Sequence, residues 1–127
     1  MKYLLDTHVI IWYFEDSPNL PLKKKEIIDS SENSIYLCSV SLWEIAIKIN
    51  LNKLKLNLTF SEFLNIIKNN DFDVLQIEDE YLEGLLVLPF IHKDPFDRLI
   101  LATAIVEGMT LITADEDIHK YNVPLFW

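Results

Sequence analysis

Four acidic residues stand where an apolar run gives way to the next segment. Asp6 closes YLL, Glu44 lies just past IYLCSV, Asp97 heads the run RLILATA, and Asp115 follows TLIT. Carboxylates placed this way can each cap the helix that begins beside them. Folded together, they can instead hold a divalent cation. Mg²⁺ and Mn²⁺ take oxygen ligands and are held by one or two carboxylates plus substrate phosphate. Such an ion activates water and offsets charge developing on a phosphate.

Capping has local support. Ser41-Leu-Trp-Glu44 matches the S-x-x-E capping box. Asp94-Pro95 is a good N-cap and N1 pair, and Asp97 then falls at the third helical position, near the positive end of the helix dipole. Asp6 can cap the segment from Thr7, and Asp115 the turn that it begins. Yet capping does not require charge at every site, since Ser, Thr or Asn would serve. Two carboxylates about 4 Å apart repel by roughly 1 kcal/mol in water and several times more near a protein surface. A cation offsets that repulsion, so the same acids can be caps and ligands. Helix N-termini are expected to lower their pKa values and keep them ionised.

Hydrophobic periodicity shows which elements must position these acids. Strands are expected at residues 3–6, 35–40, 72–77 and 109–113, and in the closing VPLFW. Helices are expected in THVIIWYFE, LKKKEIIDSSE, SLWEIAIKIN, FSEFLNIIKNN and EDEYLEGLLVL, the last stopped by Pro89. Another runs over 94–107 to Gly108, and ADEDIHKY reads as a short helical turn. Glu44 and Lys48 lie together on their helix, at i, i+4. The alternation predicts an α/β fold, a three-layer α/β/α arrangement with a central, mainly parallel sheet. Strand C-termini and the following helix N-termini share one edge of such a sheet, where ligands bind. The apolar half of the 94–107 helix is then buried, and its first turn presents Asp97 at that edge.

Composition narrows the function classes. The chain has 127 residues, half of them hydrophobic, which fits one domain over 1–127. A net charge of −9 argues against nucleic-acid binding by charge alone. Phosphates would have to meet a metal ion on the acids, or a local basic patch. Lys23 to Lys25 reads first as a solvated helix face. Two glycines leave no glycine-rich phosphate loop. Cys38 is a lone cysteine, which excludes a disulfide within the chain and reads as a small buried hydrophobe. His8 is expected in the core or beside a ligand, and His92 and His119 at the surface. Their spacing does not suggest zinc. Trp12, Trp43 and Trp127 read as core or interface residues. No signal peptide and no apolar run of roughly 18 residues is seen, so the cytoplasm is the default location.

LLDTH (4–8), SLWEIAIK (41–48), KLKL (53–56), HKDPFDRLILATA (92–104) and LITAD (111–115) resemble, in order and spacing, the PIN-domain ribonucleases, specifically VapC-type toxins of toxin–antitoxin pairs. The resemblance spans nearly the whole chain. It implies a sheet of about five parallel strands, an acidic pocket of Asp6, Glu44, Asp97 and Asp115, and Mg²⁺- or Mn²⁺-dependent endonucleolytic cleavage of RNA. It also implies a homodimer and inhibition by a cognate antitoxin. On this reading Asp6, Asp97 and Asp115 are the metal ligands, and Glu44 contacts water or aids proton removal. Thr7 and Thr113 are hydrogen-bond donors beside them or structural hydroxyls. Asp94 and Arg98 belong to the DPFDR motif with roles left open, and Asp117 is an extra acid that competes for the fourth position. Two alternatives stand. A haloacid-dehalogenase-like phosphatase would need a second Asp where His8 stands. A catalytically silent α/β binding module would use the acids only as caps.

Overall fold

A computed structural model of residues 1–127 shows five strands and six α-helices. In chain order these are β1 (Lys2–Leu5), α1 (Thr7–Phe14), α2 (Leu22–Asp29), β2 (Ser34–Cys38), α3 (Ser39–Asn50), α4 (Phe60–Asn69), β3 (Phe72–Leu75), α5 (Asp79–Val87), α6 (Pro95–Glu107), β4 (Thr110–Ile112) and β5 (Leu125–Phe126). A single 3₁₀ turn, Ile118–Lys120, lies between β4 and β5. All strands pair in parallel, in the order β3-β2-β1-β4-β5. The order runs outward from β1 to β3, then restarts on the other side of β1 with β4. That reversal opens a crevice between the C-terminal ends of β1 and β4.

Both sheet faces are covered, so β1 reads as a continuous apolar run rather than an alternating one. Tyr3 and Leu5 of β1, Ile35 and Leu37 of β2 and Ile112 of β4 pack with Val9, Ile10, Ile28, Ile45, Phe63 and Ile67 of α1 to α4. The alternate residues Leu4, Cys38 and Leu111 face Ile100, Leu101 and Ala104 of α6. Helix α5 packs outside on α6. The KLKL segment is a loop whose Leu54 and Leu56 lean on the first core.

Helix ends follow local chemistry. In α4, Thr59 and Glu62 form a reciprocal capping box. Helix α6 starts on Asp94 and Pro95 and stops at left-handed Gly108, φ 66°. There Gly108 N–H donates to Ile105 O and Met109 N–H to Ala104 O, a Schellman arrangement that a Cβ would strain.

Several boundaries differ from the sequence expectation. The 35–40 strand ends at Cys38, because β3 offers no partner beyond Leu75; Ser39 and Val40 open α3 instead. The expected capping box therefore does not form, and Glu44 sits within the helix rather than at its start. The strands expected at 72–77, 109–113 and 123–127 shorten to 72–75, 110–112 and 125–126, again where partners end. Trp43 and Trp127 are exposed, which removes the core alternative and leaves the interface one. No helix is long and apolar enough to cross a membrane.

Phe63 is fully buried and meets the Phe14 ring edge-on at 5.7 Å. Phe63→Ala should cost about 3–5 kcal/mol. Urea denaturation should show a lower midpoint with an unchanged slope.

Candidate metal centre

Asp6 follows β1 and caps α1: its Oδ1 accepts from Thr7 N–H at 2.8 Å. Its Oδ2 accepts from the Thr113 hydroxyl at 2.7 Å, a bond joining the end of β4 to the end of β1. The same Thr113 oxygen accepts from Asp115 N–H at 3.1 Å. Asp6 is almost wholly buried, and burial raises its carboxyl pKa against the pull of these bonds.

Glu44 reaches the edge from α3. Its Oε1 lies 2.7 Å from Thr7 Oγ1, which is also 2.9 Å from the Ser41 hydroxyl. The threonine has one proton, and a carboxylate is the stronger acceptor. Glu44 Oε2 meets Lys48 Nζ at 2.8 Å, the helical pair that the i, i+4 spacing suggested. Burial alone would lower the Lys48 pKa. The bond to Glu44, and the charges of Glu44, Asp94 and Asp97, outweigh it and raise the value.

Asp94 caps α6, with Oδ1 accepting from Phe96 and Asp97 N–H at 2.9 and 3.0 Å. Such a cap contributes about 1 kcal/mol. Asp97 is buried, and its Oδ2 lies 2.8 Å from His92 Nε2. Burial first, then the charges of Asp6, Asp94 and Glu44, push the Asp97 carboxyl up to about 7, against the bond from His92. The expected lowering by helix ends therefore does not prevail at Asp6 or Asp97. Desolvation and like charge exceed the dipole's contribution.

One histidine differs from expectation, and a second meets only one of its two alternatives. His92 is folded into the edge rather than lying at the surface. Its Nε2 is 3.8 Å from Asp115 Oδ2, and its Nδ1 is 3.7 Å from Asp117 Oδ2. Its backbone N–H donates to the Tyr121 hydroxyl at 3.0 Å, a partner 29 residues away that no local pattern reveals. His8 is exposed rather than core and lines an open depression with Asp6, Trp12, Ala114 and Asp115. His119 is exposed as expected, with Nε2 at 2.8 Å from Thr113 O.

Arg98 does not face the acids. It is buried, and Nη1 donates to Pro89 O and to the Tyr121 hydroxyl at 3.0 and 3.2 Å. Nη2 donates to Leu85 O and Leu88 O, both at 3.4 Å, at the negative end of α5. Asp117 is half exposed and pairs with Lys120 at 2.9 Å. Asp115 Oδ1 accepts from Asp117 N–H at 2.8 Å, capping its turn as expected. Cys38 is buried as expected, which pushes its thiol up to about 12. Lys25 pairs with Asp16, and Lys24 lies over the Phe126 ring.

Donor atoms of His92, Asp97 and Asp115 lie within 4.8 Å of one another, as do those of Glu44, Asp94 and Asp97. Asp97 belongs to both groups. Asp6 belongs to neither, but shares the depression with Asp115. Hard oxygen donors predominate, and burial with the neighbouring carboxylates raises the Asp97 pKa. That donor set fits a divalent cation.

The PIN-domain family model matches residues 3–124. The chain belongs to the PIN-domain family. Ribonuclease VapC22 of Mycobacterium tuberculosis is 25% identical to it over 122 residues, covering 95% of this chain and 92% of that protein. Among solved structures, VapBC2 from Rickettsia felis, bound to a promoter DNA fragment, superposes with a TM-score of 0.76 at 20% identity, over 99% of this chain and 98% of that one. FitAcB from Neisseria gonorrhoeae gives 0.70 at 18% identity, over 98% and 96%. A toxin–antitoxin complex from Klebsiella pneumoniae gives 0.67 at 18%, over 98% and 96%. These likenesses bear out the PIN fold with its five parallel strands.

A raised carboxyl pKa makes the native state hold a proton that the unfolded chain has already lost. Asp97 therefore favours folding below about pH 4, and that contribution fades as the pH rises through about 7. In EDTA, Asp97→Asn should melt on the order of 5 °C above wild type at pH 8, the change that about 1–2 kcal/mol produces in a domain of this size. The gain should vanish by about pH 3, below both Asp97 values. Melting curves at several pH values, read by circular dichroism, check both arms.

Proposed function

We propose that this PIN-domain protein is a metal-dependent endoribonuclease, the toxin of a type II toxin–antitoxin pair, cleaving RNA phosphodiester bonds with activated water. The observation that carries the reading is Asp97, shared by two donor groups, with a carboxyl pKa raised by burial and by the neighbouring carboxylates. A Mg²⁺ or Mn²⁺ ion, when bound, lowers the pKa of water and neutralises charge on the phosphate. Asp6, Asp97 and Asp115 would hold it. Thr113, donating to Asp6 and accepting from Asp115, sets those two carboxylates relative to each other. Glu44, fixed by Thr7 and Lys48, would contact water or aid proton removal. Asp94 caps α6 and so aims Asp97, while Arg98 braces the 88–92 loop.

The relative's name supports ribonuclease activity, and the toxin–antitoxin complex among the fold neighbours supports an antitoxin partner. Exposed Leu82, Leu86 and Val87 of α5, with Ile105 and Val106 of α6, supply an apolar surface for a homodimer. The site gives the phosphatase alternative no second Asp, since exposed His8 stands in that place.

Asp97→Asn should keep the fold and lose RNA cleavage by about 100-fold or more. Incubation of both proteins with total RNA in Mg²⁺, Mn²⁺ or EDTA checks this. Full cleavage by the variant would remove Asp97 from the mechanism. With the metal chelated, the −9 chain should retain little RNA on a filter, because its field repels phosphate.

A further inference from the structure

His92 lies among the acids without belonging to the four residues to which the family resemblance points. We propose that His92 Nε2 is a direct ligand of the divalent ion held by Asp97 and Asp115, and that this nitrogen biases the centre toward Mn²⁺ over Mg²⁺. The inference rests on the metal-centre reading above.

Distances support it. Two donors bound at right angles, each about 2.1 Å from one ion, stand roughly 3.0 Å apart; opposite donors stand roughly 4.2 Å apart. His92 Nε2 is 2.8 Å from Asp97 Oδ2 and 3.8 Å from Asp115 Oδ2. One ion can therefore meet all three atoms with small side-chain adjustments.

Ring orientation agrees. With Nε2 toward Asp97 and Asp115, Nδ1 faces the Asp117 carboxylate at 3.7 Å. A small rotation of Asp117 lets it accept from Nδ1–H. That arrangement fixes the tautomer and leaves the Nε2 lone pair for the ion, as in carboxylate–histidine–metal triads. It also gives Asp117 a task apart from its surface pair with Lys120.

The loop that carries the ring is held in place before any ion arrives. The Tyr121 hydroxyl accepts from both His92 and Ile91 N–H, at 3.0 and 3.2 Å. Arg98 Nη1 donates to the same hydroxyl and to Pro89 O. Arg98 follows Asp97 directly, so one turn of α6 carries the acid and anchors the loop that delivers the imidazole. An all-oxygen centre suits Mg²⁺, whereas an imidazole nitrogen shifts preference toward the transition series.

The test is Mn²⁺ and Mg²⁺ binding by calorimetry, with electron spin-echo spectroscopy of the Mn²⁺-loaded protein, on wild type, His92→Gln and His8→Gln. Wild type and His8→Gln should show ¹⁴N modulation, and His92→Gln should lose it. Mn²⁺ affinity in His92→Gln should fall by about tenfold or more. Mg²⁺ affinity, resting on oxygen donors, should fall by less. Mn²⁺ bound without ¹⁴N modulation would overturn the inference and leave the carboxylate centre standing. So would tighter Mn²⁺ binding by His92→Gln, because the ring would then be a competitor. No Mn²⁺ binding by wild type would overturn both readings.

Discussion

Carboxylates from separate segments share a space too dry to keep all of them charged. The sheet order imposes this. With β4 restarting beside β1, the ends of both strands and the starts of α1, α3 and α6 converge on one crevice. Polar groups there cannot turn to water, as Asp6, Thr7, Ser41, Glu44 and Thr113 are almost fully buried. A buried polar group must be hydrogen-bonded, and a buried charge must be paired or must neutralise. Thr7 and Thr113 meet the first need by donating to Glu44 and Asp6 without adding charge. Lys48 meets the second for Glu44 alone.

The same constraint explains why DPFDR opens an otherwise apolar helix. Successive helical residues are rotated by about 100°, so neighbours face different surroundings. Asp97 turns to the acids; Arg98 turns to the carbonyls at the end of α5 and to Tyr121. A guanidinium aimed at Asp97 would neutralise it and fill the place of a cation. Directed away, it holds the 88–92 loop without cancelling the acidic field. The apolar run behind the motif was expected to be buried throughout. Ile100 to Ala104 are buried, but Ile105 and Val106 emerge on the surface beside α5.

The layer order and the convergence of Asp6, Glu44, Asp97 and Asp115 on one edge were legible because each depends on local pattern. Apolar runs of strand length alternated with helical periodicity, and each acid read as standing at a junction between elements, although Glu44 lies within α3. Features that depend on tertiary partners were not legible. The start of α3 is set by where β3 ends, which the run IYLCSV does not contain. His92 sits in a stretch without periodicity, and its placement depends on Tyr121. Carboxyl pKa direction was misjudged for a related reason: the helix dipole is visible in sequence, but burial and distant like charges are not. Lys48 was visible only as a helical neighbour of Glu44.

On the metal-centre reading, charge at the edge clarifies how a chain of net charge −9 could act on a polyanion. Glu44 and Lys48 form a pair and cancel at a distance. Asp6, Asp94, Asp97 and Asp115 remain, and one imidazole stands among them. Even protonated, that ring neutralises only one charge, and the rest repel any phosphate that approaches. A divalent ion would remove two more and would set positive charge where a phosphate approaches. Interactions between exposed charges fade beyond about 8–10 Å at physiological salt, whereas a partly buried cluster is screened less. The net charge of the whole surface therefore matters less to a bound phosphate than the balance within this crevice. On the metal-centre reading, the acidity that would exclude RNA from a bare protein surface is what gathers the cation that admits it here.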